Sequence, residues 1–233
     1  MKNIVQKSLF FTISISLILS CKILDEKMPL PQTKDRNLVV FSNGQSYNAV
    51  EIGEQYWFTE NLRSFVPQDD REIIQFTENQ SWVKANKEGV PGYSYYENDP
   101  KMEEEFGKIY NIHTLTCCRV CPDGWHVSTV DDWEKLEMFL GNYAGDKLKS
   151  SIGWGSVDSD LLNESGFSAK PAGFRLANGF FYGKGQEVSW WTSGSKEVFS
   201  KSETVISLKS GNAEINYETV LEGNGYYVRC VKD

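Results

Sequence analysis

Histidine is almost missing from this chain: His113 and His126 are the only two in 233 residues, and they lie far apart in sequence. No pair of Cys or His stands at the spacing of a zinc site, even if Cys117, Cys118 or Cys121 were recruited. No metal, no cofactor and no catalytic residue is therefore expected. Long apolar runs are equally scarce, since nothing after residue 20 approaches the roughly 20 residues of a membrane-spanning helix. Positive charge is in deficit, 24 Lys and Arg against 32 Asp and Glu for a formal charge of −8. That balance counts against nucleic acid and anionic lipid headgroups as partners. Aromatic residues at 13% and 19 glycines suit a β-rich, turn-rich protein better than a helical one.

What the chain does have begins at the amino terminus. Lys2 and Lys7 flank a charged start, and the mostly apolar Leu9 to Leu19 stops at Ser20-Cys21, the pattern of a signal peptide. Ile18-Leu19-Ser20-Cys21 resembles the lipobox of bacterial lipoproteins, in which the cysteine thiol takes a diacylglyceryl group before cleavage on its amino side. Residues 1–20 are thus expected to be removed and Cys21 to become a lipidated first residue. Two or three acyl chains, at about 0.8 kcal/mol per buried methylene, anchor stably where one binds reversibly. The membrane partner would be reached through this lipid, with the protein in the cell envelope, at the outer membrane. Processing leaves 213 residues and, with two lysines and no acids lost, a charge of −10. Residues 21–36, with Pro29, Pro31 and many charges, read as a flexible tether, and residues 37–233 as one folded domain.

Beyond the tether, Val39-Val40-Phe41 and Tyr47 to Ile52 are short apolar runs split by Asn43-Gly44, a hairpin signal, and Gln55 to Phe58 follows as a third strand. Residues 63–92 read as a long polar loop with one strand near Ile73 to Phe76. The clearest helix is Val130 to Leu140. Thr129 caps it, Asp131 and Asp132 occupy its first turn, Trp133, Leu136, Phe139 and Leu140 form a stripe, and Gly141 ends it. A shorter helix is expected over Gly107 to Thr116 and a turn near Ala144 to Lys149. Short strands then alternate with glycine turns at Gly173–Arg175, Phe180–Phe181, Ser189–Thr192, Thr204–Leu208, Ala213–Tyr217 and Tyr226–Val231. Helices followed by strands in a chain of this size mean α+β.

Ile52 to Leu62, Tyr95 to Pro100, Gly107 to Asn111, Cys121-Pro122-Asp123-Gly124-Trp125-His126-Val127-Ser128 and Lys147-Leu148-Lys149 stand in a recognisable order. So do Gly153-Trp154, Asn163 to Ala169, Pro171 to Arg175, Trp190 to Ser193 and Val228 to Asp233. From about residue 50 onward the chain resembles the Fibrobacter succinogenes major paralogous domain, a family carried mostly by exported proteins and lipoproteins and distantly similar to the C-type-lectin-like fold. The resemblance implies a few short helices on irregular antiparallel sheet. It also implies a Cys121–Cys230 disulfide, because lectin-like domains tie the end of the first helical region to the last strand. On the residues alone, four cysteines beyond Cys21 allow three connectivities, and Cys117 and Cys118 are rivals for Cys230.

Other chemistry is weakly signalled. Cys118-Arg119-Val120-Cys121 has redox spacing, yet a Pro-Asp-Gly turn follows it where a helix is wanted. The calcium-holding Glu-Pro-Asn or Gln-Pro-Asp and Trp-Asn-Asp motifs of sugar-binding lectins are absent. Formylglycine-generating oxidases, which share the lectin-like fold, need a thiol pair that is not recognisably placed here. Glu103-Glu104-Glu105 and Asp131-Asp132 read as solvated charges, and His126 as a buried structural residue. Trp57, Trp125, Trp133 and Trp190 read as core, leaving Trp82 and Trp154 as candidate ligand-binding residues. The expected function is a non-catalytic binding or adhesion module for a surface protein or glycan. An oxidase-related enzyme and a purely structural envelope protein are the alternatives.

Replacing Cys21 by alanine is expected to abolish labelling by a fatty-acid analogue and to release the protein from membranes. Membrane retention of the unlabelled variant would refute the lipid anchor.

Overall fold

The computed structural model describes residues 38–64, 72–155, 160–194 and 202–233; the expected signal peptide, Cys21 and tether lie outside them. Leu38–Ser42 (β1) and Gln45–Ile52 (β2) pair antiparallel, from Leu38 opposite Ala49 to Ser42 opposite Gln45. Asn43 and Gly44 carry φ of 47° and 78°, the backbone of a two-residue hairpin turn. Gly53 turns the chain again into Gln55–Phe58 (β3), which pairs with β2.

The stretch read as loop holds more order than expected: Ile74–Gln75 (β4) and a ten-residue helix, Asn79–Glu88 (α1). Only Trp82 and Ala85 of that helix are buried and no side chain caps its start, so it shows no apolar stripe to a reader of the sequence. Gly92–Ser94 (β5), Met102–Phe106 (α2) and Ile109–Asn111 (β6) follow. The helix expected from Gly107 begins only at Ile112, because residues 109–111 are drawn into pairing with β5 and with residues 225–226. Asn111 then caps Ile112–Cys117 (α3), its side chain accepting from the Thr114 N–H.

Trp125–Val127 (β7) leads into Val130–Leu140 (α4). Thr129 and Asp132 form a reciprocal capping box, each side chain bonded to the other's backbone N–H, and Gly141 ends the helix as expected. Ala144–Leu148 (α5), Ala172–Arg175 (β8), Phe181–Lys184 (β9), Glu187–Trp191 (β10) and Ser202–Lys209 (β11) come next. Asn216–Leu221 (β12) starts three residues later than the sequence suggested, and the single strand expected from Tyr226 is two, Gly225–Tyr226 (β13) and Cys230–Lys232 (β14).

The strands form two sheets, β1-β2-β3-β14-β7, and a nine-stranded sheet ordered β12-β11-β10-β8-β13-β6-β5-β4 with β9 on β8. The first is antiparallel throughout; in the second, β10 with β8 and β4 with β5 are parallel pairs. With short helices among them, the class is α+β.

Alternation along strands explains the high aromatic content. Successive residues point to opposite faces, so Trp57, Trp190, Tyr227 and Val231 enter one core while their neighbours Phe58, Trp191, Tyr226 and Cys230 enter another. In the first, Trp133 of α4 lies 4.9 Å from Trp57, 5.3 Å from Trp190 and 5.5 Å from Phe167, ring centre to ring centre. In the second, Phe58 packs between Tyr47 at 4.7 Å and Trp125 at 4.6 Å. Two apolar layers over shared strands need large side chains on both faces, and Trp and Tyr supply them.

Against the first core sits a buried cation. Arg229 is fully buried, and its Nε donates to Asn61 Oδ1 at 2.8 Å while Nη1 donates to the carbonyls of Phe58 and Phe167 at 2.7 and 2.9 Å. Its guanidinium lies 4.3 Å from the Phe167 ring centre. Burial pulls its pKa down to about 9, which still leaves it charged at neutral pH. Asn61 Oδ1 also accepts from Trp190 Nε1, and its amide donates to the Phe106 carbonyl.

Two disulfides close the structure. Cys121 joins Cys230 across 109 residues, tying the segment after α3 to β14, and Cys117 joins Cys118. The rival pairings of Cys230 are not formed. Cys230→Ser is expected to cost about 2–5 kcal/mol and to raise amide exchange first in β14. Non-reducing peptide mapping should recover a Cys121–Cys230 linked peptide, and quantitative alkylation of Cys230 without reductant would refute the bridge.

Candidate functional site

Trp82 has no ring face open to a ligand. It is 0% exposed, its Nε1 donates to the Gly223 carbonyl at 3.0 Å, and the Arg175 guanidinium stacks 4.6 Å from its ring centre. The same guanidinium lies 4.9 Å from Phe181 on β9. Trp82 is therefore structural rather than ligand-binding. It looked like a loop residue only because α1 went unrecognised, and it is the one large side chain that α1 turns inward.

Trp154 is half-buried, with Nε1 donating to the Ala169 carbonyl at 2.8 Å and Lys149 Nζ 5.1 Å from its ring centre. Lys149 itself is fully buried, bonded to Asp146 Oδ1 at 2.7 Å and the Asn212 carbonyl at 2.8 Å. This packing fixes the turn that precedes Trp154, and that turn borders an open cleft.

The cleft, of about 300 Å3, lies between α2, the turn ending at Gly153, and the start of β8 with the end of β9. Met102, Phe106, Ile152 and Pro171 give it aliphatic and aromatic walls, with Glu105, Lys170 and Lys184 around them. Ile152 is 74% exposed, an apolar side chain left in water at the mouth. Gly153 adopts φ 93°, and a Cβ there would come within 3.2 Å of Pro171, so glycine keeps the turn close to β8. Lys184 pairs with Glu97 at 3.6 Å. Lys170 is half-buried and has no ion pair or hydrogen bond from its ammonium to any described residue. None of these lining residues was nominated from the sequence, because they come from four separate segments. Only Gly153 and Pro171 fell within recognised motifs.

Two other depressions lie elsewhere on the described surface. One, of about 460 Å3, runs between the Gly53 turn and the outer face of α4, where Met138 and Phe139 meet Ile52. The other, of about 370 Å3, is a polar hollow between Arg63, Gln45 and the residues 100–104.

The titratable constellation nearest in form to a catalytic one is His126 between two carboxylates. Nε2 lies 3.0 Å from Asp132 Oδ2 and Nδ1 lies 2.8 Å from Asp233 Oδ1. His126 is thus not the core residue expected but a half-exposed link between α4 and the segment after β14. Asp132, expected to be solvated, is buried in the capping box, and Gln55 also donates to it at 3.2 Å. Both ring nitrogens are engaged, so the imidazole is held as a strut. All four described cysteines are in disulfides.

Helices, sheets and cleft together define a disulfide-closed α+β domain with a ligand-sized surface depression. The Fibrobacter succinogenes major domain model matches residues 50–232, and the chain belongs to that family. No curated protein and no solved structure matches it.

Burial alone would lower the His126 pKa, but the hydrogen bonds and charges of Asp132 and Asp233 outweigh it and hold it above its ordinary 6.5. Burial would raise Asp132, yet the Thr129 and His126 contacts hold it below 3.8. A raised histidine contributes stability that is complete below the unfolded pKa and lost as pH rises through the folded one; a lowered carboxylate contributes above its unfolded pKa and loses it on acidification. The strut is therefore strongest between about pH 5 and 6.5. His126→Gln should lower the melting temperature most in that window and least above pH 8. With the ring 36% exposed, screening limits the effect to about 1 kcal/mol or less. A deficit that is flat or grows toward pH 8 would refute the strut.

Proposed function

We propose that this protein is a lipid-anchored, cell-envelope binding module, non-catalytic, that recognises a protein or carbohydrate through its surface clefts on a C-type-lectin-like frame. The observation that carries the reading is the cleft beside Gly153. It combines apolar walls, an exposed Ile152 and a half-buried Lys170 without a described partner. Pockets of this size with a few convergent polar groups are the ordinary form of a ligand site. The lectin-like frame is supported by β14, which lies between β3 and β7 and is tied by Cys230 to Cys121. Anchoring at the outer membrane rests on the lipobox at Ile18 to Cys21.

The test is a combined glycan and surface-protein array probed with the fragment from Asn37 onward. Saturable binding to a defined class is expected, weakened about tenfold or more by Ile152→Asp, which places a carboxylate at the cleft mouth. Absence of any ligand across both arrays would refute the binding reading.

A further inference from the structure

The cleft is richer in lysine than the chain as a whole. The chain carries 32 acids against 24 bases, yet two of the three charged residues lining this depression are lysines. Lys184 is engaged by Glu97 and lies 5.3 Å from the Tyr96 ring centre. Lys170 is the remaining cation: it loses part of its hydration on the cleft wall and, although Glu105 lines the same cleft, no described carboxylate forms an ion pair with it. A ligand carboxylate would restore that interaction.

The walls select what the carboxylate is attached to. Met102, Ile152 and Pro171 are aliphatic, and the aromatic ring among the lining residues, Phe106, is 8% exposed. No open ring face offers a stacking platform for a sugar, whereas a branched aliphatic side chain would cover the exposed Ile152. The volume of about 300 Å3 lies at the small end of ligand sites. It accommodates a side chain and its terminal group but leaves a long acyl chain in water.

We infer that this cleft captures the free C-terminal carboxylate of a partner polypeptide ending in an aliphatic residue, with the carboxylate on Lys170 and the last side chain against Met102, Ile152 and Pro171. Capture of a chain's terminal carboxylate is a recurrent mode of peptide recognition, by backbone N–H groups in its common form and by the Lys170 ammonium here. The inference rests on the binding reading above and narrows it to a protein ligand.

The experiment uses the full-length protein in detergent micelles and a fluorescent hexapeptide ending in Leu-Val, followed by anisotropy. The free acid should bind saturably, and its C-terminal amide about tenfold more weakly. Lys170→Gln should lose about tenfold, and Lys170→Arg should recover most of that. Ile152→Ser should weaken the Leu-Val peptide several-fold while leaving a Ser-Gly-ended peptide unchanged. Both positions are at least partly exposed, and unchanged melting temperatures should accompany the losses. Equal binding of acid and amide, indifference to Lys170→Gln, or saturable binding of fluorescently labelled octanoate or glucuronate with no binding of the peptide would each overturn the inference. Array ligands that survive Lys170→Gln would overturn it while leaving the binding reading standing; a protein with no ligand at all would sink both.

Discussion

The structure depends on a charge, that of Arg229, placed where water cannot reach it. Arg229 has no carboxylate partner among its hydrogen bonds. It is held by one amide oxygen and two carbonyls, and covered by Phe167 and Trp190. An unpaired buried cation costs a great deal unless its donors are met. Those acceptors come from residues 58, 61 and 167, so the folded state must bring two distant segments to the one that carries Arg229 before the charge is tolerated. Asn61 extends the demand, because the same oxygen serves Trp190 and its amide reaches Phe106. Breaking one member leaves several buried groups unsatisfied at once.

The aromatic layers and the polar centre are two sides of the same design. Strands buried on both faces offer little room for polar groups, and several that enter are bonded to backbone. Tyr110 and Tyr227 donate to carbonyls, and Trp191 Nε1 reaches the Tyr110 carbonyl. Arg175 repeats the Arg229 pattern at smaller scale between Trp82 and Phe181, with its Nε and Nη1 on carbonyls. The guanidinium suits this use because its flat faces stack on rings while its edges donate.

What the sequence made legible follows from local signals. The helix Val130 to Leu140 carried a cap, a first-turn acid, a stripe and a terminating glycine, and each is in place. Asn43-Gly44 announced its turn, and Trp57, Trp125, Trp133 and Trp190 are all buried. Illegible were features whose cause is tertiary. The α1 helix is polar along most of its length, and its inward Trp82 reads as exposed when the helix is unseen. Arg229 and Arg175 look like surface residues in any window. The cleft draws Met102, Ile152, Lys170 and Lys184 from separate elements, and no local pattern marks them as neighbours. The Cys121–Cys230 pairing was readable through family resemblance, whereas spacing alone left three choices.

The position of β14 sets the order in which the molecule can be completed. This strand is inserted between β3, about 170 residues earlier, and β7, about 100 earlier, so the five-stranded sheet stays split in two until residues 230–232 arrive. Until Arg229 accompanies them, Asn61 and the carbonyls of Phe58 and Phe167 lack their donor. Pairings this remote in sequence form slowly, and a chain emerging from its amino end keeps an open, threadable form through most of its length. The segment that locks the fold therefore follows nearly everything it locks, and the first sheet cannot be completed before the last of its strands.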